Sequence, residues 1–327
     1  MRDLIASFPE NIEESLHIAA SYTLKKPSEQ LKNVVICGMG GSGIGGKLVA
    51  QWLENSLQLP VVVCQDYTLP KFVNSSTLVI CSSYSGETEE TLSCLYQAKE
   101  LNAFIVGISS GGALAAFCEQ NNYDCMKIPS GNPPRTALAF SVGQLLTIFF
   151  QLGLTNDTFI KDYKSSKNIL VEFNEQIHAT AKELAAFLKD KLVLMYSASN
   201  YEAVAIRARQ QFNENAKILC NHHVIPEMNH NELVGWGLAD ERCGVLIFDS
   251  QDLYPKNQLR LEFSIDHLKT KTPHIFRLVP EGNSLIERAI YFINVVDWAS
   301  FYLSDLNDVD PIEIDVINRL KSFLSNK

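Results

Sequence analysis

The chain has 327 residues, 46% of them hydrophobic and 20% charged, with a formal net charge of −9. That length exceeds one ordinary hydrophobic core and predicts two domains of roughly 150 residues each, while the composition carries no low-complexity or disordered signature. An acidic chain without a Lys/Arg run has no long-range attraction for nucleic acid or anionic lipid, so neither is expected as a partner, and an anionic ligand must be held by local groups.

Residues 1–24 carry acidic side chains where a secretory signal needs a basic end and an apolar stretch, and no segment approaches ~18 uninterrupted apolar residues. A cytoplasmic location is the expectation. A first helix is followed by apolar runs at 34–38, 61–64, 78–81 and 104–108, with a weaker one near 126–128. Near-continuous apolar runs of this kind predict a parallel sheet covered on both faces. A long helix is expected after Pro133-Pro134, with Thr136 as its cap and 137–154 apolar throughout; the polar stretch 155–167 then reads as the exit from the first domain.

The rhythm restarts with a helix near 170–189, a strand at 192–196, a helix over 202–217 and strands at 245–248 and 275–279. A long helix at 284–306 and a short carboxyl-terminal one close the chain. Each half opens with a helix and then a strand that ends in small residues, Gly38-Met-Gly-Gly-Ser42 and Ser197-Ala-Ser199. The expected fold is α/β: two doubly wound parallel-sheet domains in tandem, flanked by helices and spanning 1–154 and 155–327. The eight cysteines show no CxxC spacing and several sit inside the apolar runs, which favours buried free thiols over disulfides or zinc ligands.

Two loops stand out. Gly38, Gly40 and Gly43 satisfy G-x-G-x-x-G directly after the first strand, and Asp66 closes the next strand where a dinucleotide fold places its ribose-binding acid. A tightly packed glycine turn is the plainer alternative, although six glycines and a serine over 38–46 expose more backbone N–H than packing needs. The second loop, Cys81-Ser-Ser-Tyr-Ser-Gly-Glu-Thr-Glu-Glu-Thr-Leu92, crowds hydroxyls at a strand-to-helix junction. Ser83, Ser85 and Thr88 at a helix start can cradle a phosphate; an ordinary cap needs only one hydroxyl, while Glu87, Glu89 and Glu90 complement the helix dipole and disfavour an anion. A dinucleotide site gives no reason for a second hydroxyl-rich strand end, whereas a sugar phosphate does.

The glycine and hydroxyl loops, Asn132-Pro-Pro-Arg135, Phe212-Asn-Glu214-Asn-Ala-Lys217, Pro226-Glu-Met-Asn-His230-Asn-Glu232, and Val309-Asp-Pro311 followed by Leu320-Lys321 together resemble the bifunctional phosphoglucose/phosphomannose isomerases. The likeness runs over nearly the whole chain. It implies two sugar isomerase (SIS) domains, an active site in the cleft between them, and reversible isomerisation of glucose 6-phosphate or mannose 6-phosphate to fructose 6-phosphate. Ser42, Ser83, Ser85 and Thr88, with the N–H groups of Gly40 and Gly41, would hold the phosphate of this hexose 6-phosphate substrate. His230 would open the ring with help from Lys321, Glu214 would move a proton between C1 and C2, and Arg135 would stabilise the enediolate. No cofactor is implied, because the substrate is its own redox partner, and a homodimer is, in which His230 serves either its own or the neighbour's site.

Taken singly, Glu214 also reads as a solvated carboxylate pairing with Lys217, His230 as a structural loop histidine, and Lys321 as an exposed helix lysine. His222, His223, Glu227 and His230 raise a metal reading, but their spacing matches no established metal motif, so no metal is assigned. A non-catalytic phosphosugar-binding regulator and an NAD(P)-dependent oxidoreductase remain the alternative functions.

Overall fold

Strands buried on both faces are apolar at every position rather than at alternate ones. In the computed structural model, which describes residues 1–250 and 252–325, each such run of the amino-terminal half is a strand. These are β1 (Asn33–Cys37), β2 (Val61–Cys64), β3 (Thr77–Ser82), β4 (Phe104–Ser109) and β5 (Asp124–Lys127), all parallel, in the order β2-β1-β3-β4-β5. The central β3 is buried along its whole length. Helices α1 (Arg2–Ala6), α2 (Phe8–Ala20), α3 (Gly40–Leu53), α4 (Glu89–Glu100), α5 (Gly112–Gln120), α6 (Leu138–Gln151) and α7 (Thr158–Glu172) complete this half.

The pattern repeats with α8 (Asn174–Leu188), β6 (Leu192–Ala198), α9 (Glu202–Asn215), β7 (Cys220–Ile225), α10 (Glu232–Gly235), β8 (Cys243–Phe248), α11 (Pro255–Lys269), β9 (Ile275–Leu278), α12 (Leu285–Leu306) and α13 (Asp315–Ser325). The second sheet is also parallel, in the order β7-β6-β8-β9. In both sheets the first strand of the set lies between the second and the third, which is the doubly wound order. The expected fold class is therefore the observed one.

Two compact units emerge: Ala6–Glu172 with Glu281–Ile290, and Met1–Ile5 with Phe173–Pro280 and Tyr291–Lys327. The division falls after Glu172 rather than at 154/155, because the polar stretch expected to be an exit is instead part of α7. Its Tyr163, Ser166 and Leu170 form a buried stripe at helical spacing, and the Tyr163 hydroxyl donates to the Ala139 carbonyl at 2.9 Å. The helix expected near 170–189 is accordingly two, α7 and α8, separated at Phe173. Two further elements, β7 and α11, lie where no element was expected.

All eight cysteines are free thiols, buried except for the half-buried Cys125. No helix among the described residues is long and apolar enough to cross a membrane. In the second unit, α9 is fastened to α12 by the buried pair Arg207–Asp297 (2.9 Å) and by Asn215 Nδ2 donating to Ser300 Oγ at 2.9 Å.

The start of α12 is a capping box, Ser284-Leu-Ile-Glu287. Ser284 Oγ accepts from the Glu287 N–H (3.2 Å), and the Glu287 carboxylate accepts from the N–H groups of Asn283 (2.6 Å) and Ser284 (3.1 Å) and from the Ser165 hydroxyl. Burial alone would raise the Glu287 pKa, but the Ser165 hydroxyl and the two N–H donors outweigh it and hold the carboxyl below the ordinary value of 4.5. A depressed carboxyl stabilises the fold above its unfolded pKa and loses that contribution as pH falls through its folded value. Glu287→Gln is expected to cost about 1 kcal/mol near neutral pH, seen as a lower thermal midpoint. The gap should close as pH falls through the ordinary value of 4.5 and below the depressed folded value; a gap that widens in acid would contradict the cap.

Candidate active site

In a doubly wound sheet, ligands bind beyond the carboxyl ends of the strands where the winding reverses. In the first unit that point lies between β1 and β3, whose pairing sets Cys37 opposite Cys81. The segments leaving these two strands are the glycine loop and the hydroxyl loop.

The glycine loop runs straight into α3. Met39 is extended, Gly40 adopts φ +49, and the N–H groups of Ser42 and Gly43 close on the Met39 carbonyl at 3.0 Å. The N–H groups that open a helix have no acceptor inside it, so Gly40 and Gly41 present a donor pair with partial positive charge. A Cβ on Gly41 would stand 2.7 Å from the Pro134 carbonyl oxygen and 3.1 Å from the Arg135 nitrogen. The loop therefore packs backbone to backbone against the 3₁₀ turn Pro134–Thr136 that carries Arg135, which is buried at 3% exposure.

The hydroxyl loop uses its side chains in different ways. The buried Ser83 Oγ accepts from the Gly86 N–H (3.1 Å) and pairs with Thr88 Oγ1 at 2.8 Å, so it holds the turn together. Thr88 is the N-cap residue of α4, and Ser85 is exposed at the tip, its Oγ accepting from the Glu87 N–H at 3.2 Å. Ser42 bridges the loops by accepting the Tyr84 N–H at 3.1 Å.

Tyr84 is the residue that sequence reasoning passed over. Its hydroxyl accepts from the Asn132 N–H (2.9 Å) and its carbonyl accepts from Ser110 through both N–H and Oγ. One buried residue, through its carbonyl and its hydroxyl, thus joins the loops after β3, β4 and β5. The signal available was a bulky aromatic set between serines in a tight turn.

The three glutamates point to neighbours of their own. Glu87 Oε1 accepts from the Ala113 N–H at 2.8 Å, at the start of α5. The Tyr67 hydroxyl donates to Glu89 Oε2 at 3.5 Å, and the charge of Glu90 chiefly, with burial and Glu89, pushes the Tyr67 phenol upward in pKa. Gly40, Gly41, Ser42, Ser83, Ser85, Thr88 and Arg135 therefore belong to one cluster of loops.

The second unit differs at its own reversal point, between β6 and β8. There Asp249, Ser250 and Asp252 follow β8, and the Tyr201 hydroxyl lies 2.9 Å from Asp252 Oδ2 and 3.0 Å from Ser250 Oγ. Arg277 Nε donates to Asp249 at 2.9 Å. Carboxylates at this end repel a phosphate.

Glu214 is half-buried at the last turn of α9, where Lys217 Nζ donates to the Glu214 carbonyl (2.6 Å) and the Glu313 carbonyl (2.9 Å). Helix α9 returns from the carboxyl end of β6 to the amino end of β7, where Cys220 Sγ lies 3.6 Å from Asn213 Oδ1. His230 comes after the carboxyl end of β7, exposed on the 3₁₀ turn Glu227–His230. A six-residue strand spans about 17–20 Å, so the unit does not bring Glu214 and its own His230 together.

The His230 segment is anchored on either side of the histidine. Met228 and Trp236 are buried, Trp236 Nε1 donates to the Tyr196 hydroxyl (2.9 Å), and that hydroxyl donates to Glu232 at 2.6 Å. Burial, with the Glu232 bond, pushes the Tyr196 phenol upward in pKa, so it stays a neutral donor. Asn229 Nδ2 donates to Ser264 Oγ at 2.7 Å. Lys321 is exposed on α13. His222, His223, Glu227 and His230 do not form a cluster close enough to share an ion among the described residues.

The description "SIS domain" fits residues 29–127, and "Bacterial phospho-glucose isomerase C-terminal SIS domain" fits residues 177–324. The chain is 34% identical, across 99% of both chains, to the bifunctional phosphoglucose/phosphomannose isomerase of Caldicellulosiruptor bescii. It belongs to that family. A relative of the same name from Aquifex aeolicus is 35% identical over 90% of each chain. Among solved structures, the C-terminal domain of glucosamine-fructose-6-phosphate aminotransferase from Francisella tularensis aligns with a TM-score of 0.74 at 15% identity, covering 95% of this chain and 96% of that one. That last likeness is one of fold alone.

Gly41→Ala tests the loop cluster. The added methyl must push the Pro134–Arg135 turn away, so phosphosugar affinity is expected to fall at least about tenfold, a cost of about 1.4 kcal/mol. Isothermal titration would read the loss, with circular dichroism checking that the fold is kept. Unchanged affinity would separate Gly41 from the site.

Proposed function

We propose that the chain is a sugar phosphate isomerase that interconverts glucose 6-phosphate or mannose 6-phosphate with fructose 6-phosphate. The observation that carries this is the meeting of the glycine, hydroxyl and Arg135 loops at the β1/β3 reversal point, in a chain whose full-length relatives carry that name. In this reading the Gly40 and Gly41 N–H groups, Ser42, Ser85 and Thr88 hold the phosphate, and Ser83 keeps Thr88 in place. Arg135 supplies the fixed cation that an acidic protein otherwise lacks, and stabilises the negative charge that builds on the enediolate.

His230, assisted by Lys321, moves the proton that opens the hexose ring. Glu214 then takes the C2 proton of the open-chain aldose and returns it to C1, through a cis-enediol. One carbon is oxidised as its neighbour is reduced, so the electrons balance within the substrate. The working assembly in this reading is a cytoplasmic homodimer. Two observations support a His230 that serves the partner's site: the strand that separates it from its own Glu214, and the exposed Val234 (81%) and Leu238 (98%) on the same segment, apolar groups that a second copy would cover.

A coupled assay on glucose 6-phosphate and mannose 6-phosphate in parallel tests the activity. Conversion of both is expected, while phosphosugar binding without turnover would indicate a regulator. Glu214→Gln should abolish turnover and leave substrate binding nearly intact; weak binding with residual turnover would remove Glu214 from the base role. For the shared site, Glu214→Gln and His230→Ala chains are each expected to be inactive, whereas co-expression should restore about a quarter of wild-type activity if half the dimers are mixed and each holds one intact site. No recovery on mixing would place His230 in its own chain's site.

A further inference from the structure

Cysteines far apart in sequence gather on one face of the first sheet. Cys37 ends β1 and Cys64 ends β2, and the two are register partners in adjacent parallel strands. Cys94 comes from α4, whose buried face, Thr91, Cys94, Leu95 and Ala98, covers them. The three sulfurs all lie within 4.8 Å of one another, with Cys64 and Cys94 at 3.8 Å. Metal–sulfur bonds of about 2.3 Å set the sulfurs of a tetrahedral or trigonal site about 3.8–4.0 Å apart; the Cys64–Cys94 pair is already at that spacing, and side-chain adjustments of no more than about 1 Å bring Cys37 to it.

We propose that Cys37, Cys64 and Cys94 form a three-thiolate site for one soft, closed-shell metal ion of the Zn(II) or Cu(I) class. The donor set holds no carboxylate or imidazole, which selects thiophilic ions over Mg(II) or Ca(II). Two carbonyls already face the sulfurs: Asp66 O lies 3.3 Å from Cys94 Sγ and Thr68 O lies 3.3 Å from Cys64 Sγ, so a fourth, oxygen donor is at hand. Strand β2 is an edge of the sheet, and the exposed residues Asp66, Tyr67 and Thr68 that follow Cys64 give an ion its way in.

Binding exchanges protons for metal: each thiol releases its proton to solvent as its sulfur bonds the ion, with no change of oxidation state. The Cys64 thiol, on the edge strand and next to the exposed residues 66–68, is the entry point. Once bound, the ion ties β1, β2 and α4 together directly behind the glycine and hydroxyl loops.

The test is titration of the reduced, full-length protein with Cd(II) under inert gas, and it does not depend on the isomerase reading because no activity is measured. A sulfur-to-cadmium charge-transfer band should saturate at one equivalent, with a cadmium NMR signal in the three-sulfur range. Cys64→Ser and Cys94→Ser should each weaken binding by more than about 100-fold, beyond the loss expected for a residue that only orients a ligand, while Cys220→Ser leaves it unchanged. If Cys94→Ser does not fold, Cys64→Ser at the sheet edge decides. Saturation unaffected by Cys64→Ser, or a Cys64–Cys94 disulfide with no band after reduction, would overturn the proposal.

Discussion

The parallel pairing of β1 with β3 is the constraint from which the candidate site follows. With Cys37 opposite Cys81, the next residues, Gly38 and Ser82, meet so closely that a Cβ on Gly38 would stand 2.8 Å from the Ser82 carbonyl oxygen. Only glycine leaves room there, and its absence of side chain lets the start of α3 and the turn before α4 open side by side. The Ser42–Tyr84 and Tyr84–Asn132 hydrogen bonds then draw in the Arg135 loop. A chain with a net charge of −9 thereby concentrates helix-start N–H groups, hydroxyls and one guanidinium at a single end of one sheet.

The same winding order occurs twice, yet the two units are not chemically equivalent. Where the first unit sets glycines and hydroxyls, the second sets Asp249 and Asp252. Arg277 is committed to Asp249 and Glu262, at 2.9 Å each through Nε and Nη2 respectively. The fold supplies the same strand ends to both units, and side-chain charge decides which of them suits a phosphate. What the second unit offers the proposed reaction lies elsewhere, at the last turn of α9 and in the segment after β7.

Legibility followed the strength of local signals. Buried parallel strands such as β1, β3 and β8 declare themselves through an unbroken apolar run of four or more residues, and the glycine and hydroxyl loops because their glycines and hydroxyls exceed what a turn requires. Strand β7, Cys-Asn-His-His-Val-Ile, was opaque: it is an edge strand with four of its residues partly or fully exposed, so its polar side chains hide the pattern. Helix α7 was misread because its apolar stripe is only Tyr163 and Leu170 with a buried serine between them. The domain boundary depended on that stripe. Tyr84 as a hub, and the convergence of Cys37, Cys64 and Cys94, are products of register and packing between distant segments, which no spacing rule in one chain encodes.

The glutamates of the hydroxyl loop, at first sight the wrong charge beside a phosphate cradle, fit once their partners are known. Three helices, α3, α4 and α5, begin at the carboxyl end of the same sheet, and each beginning attracts an anion. Glu87 satisfies α5 itself: its carboxylate accepts from the Ala113 N–H, and Gly112, at φ +69, lets the two approach so closely that a Cβ there would stand 2.7 Å from Glu87 Oε1. Glu89 accepts from the Tyr67 hydroxyl, just beyond the end of β2. An internal carboxylate thus fills the third helix start, and the starts of α3 and α4, where the glycine and hydroxyl loops meet, lie outside its reach.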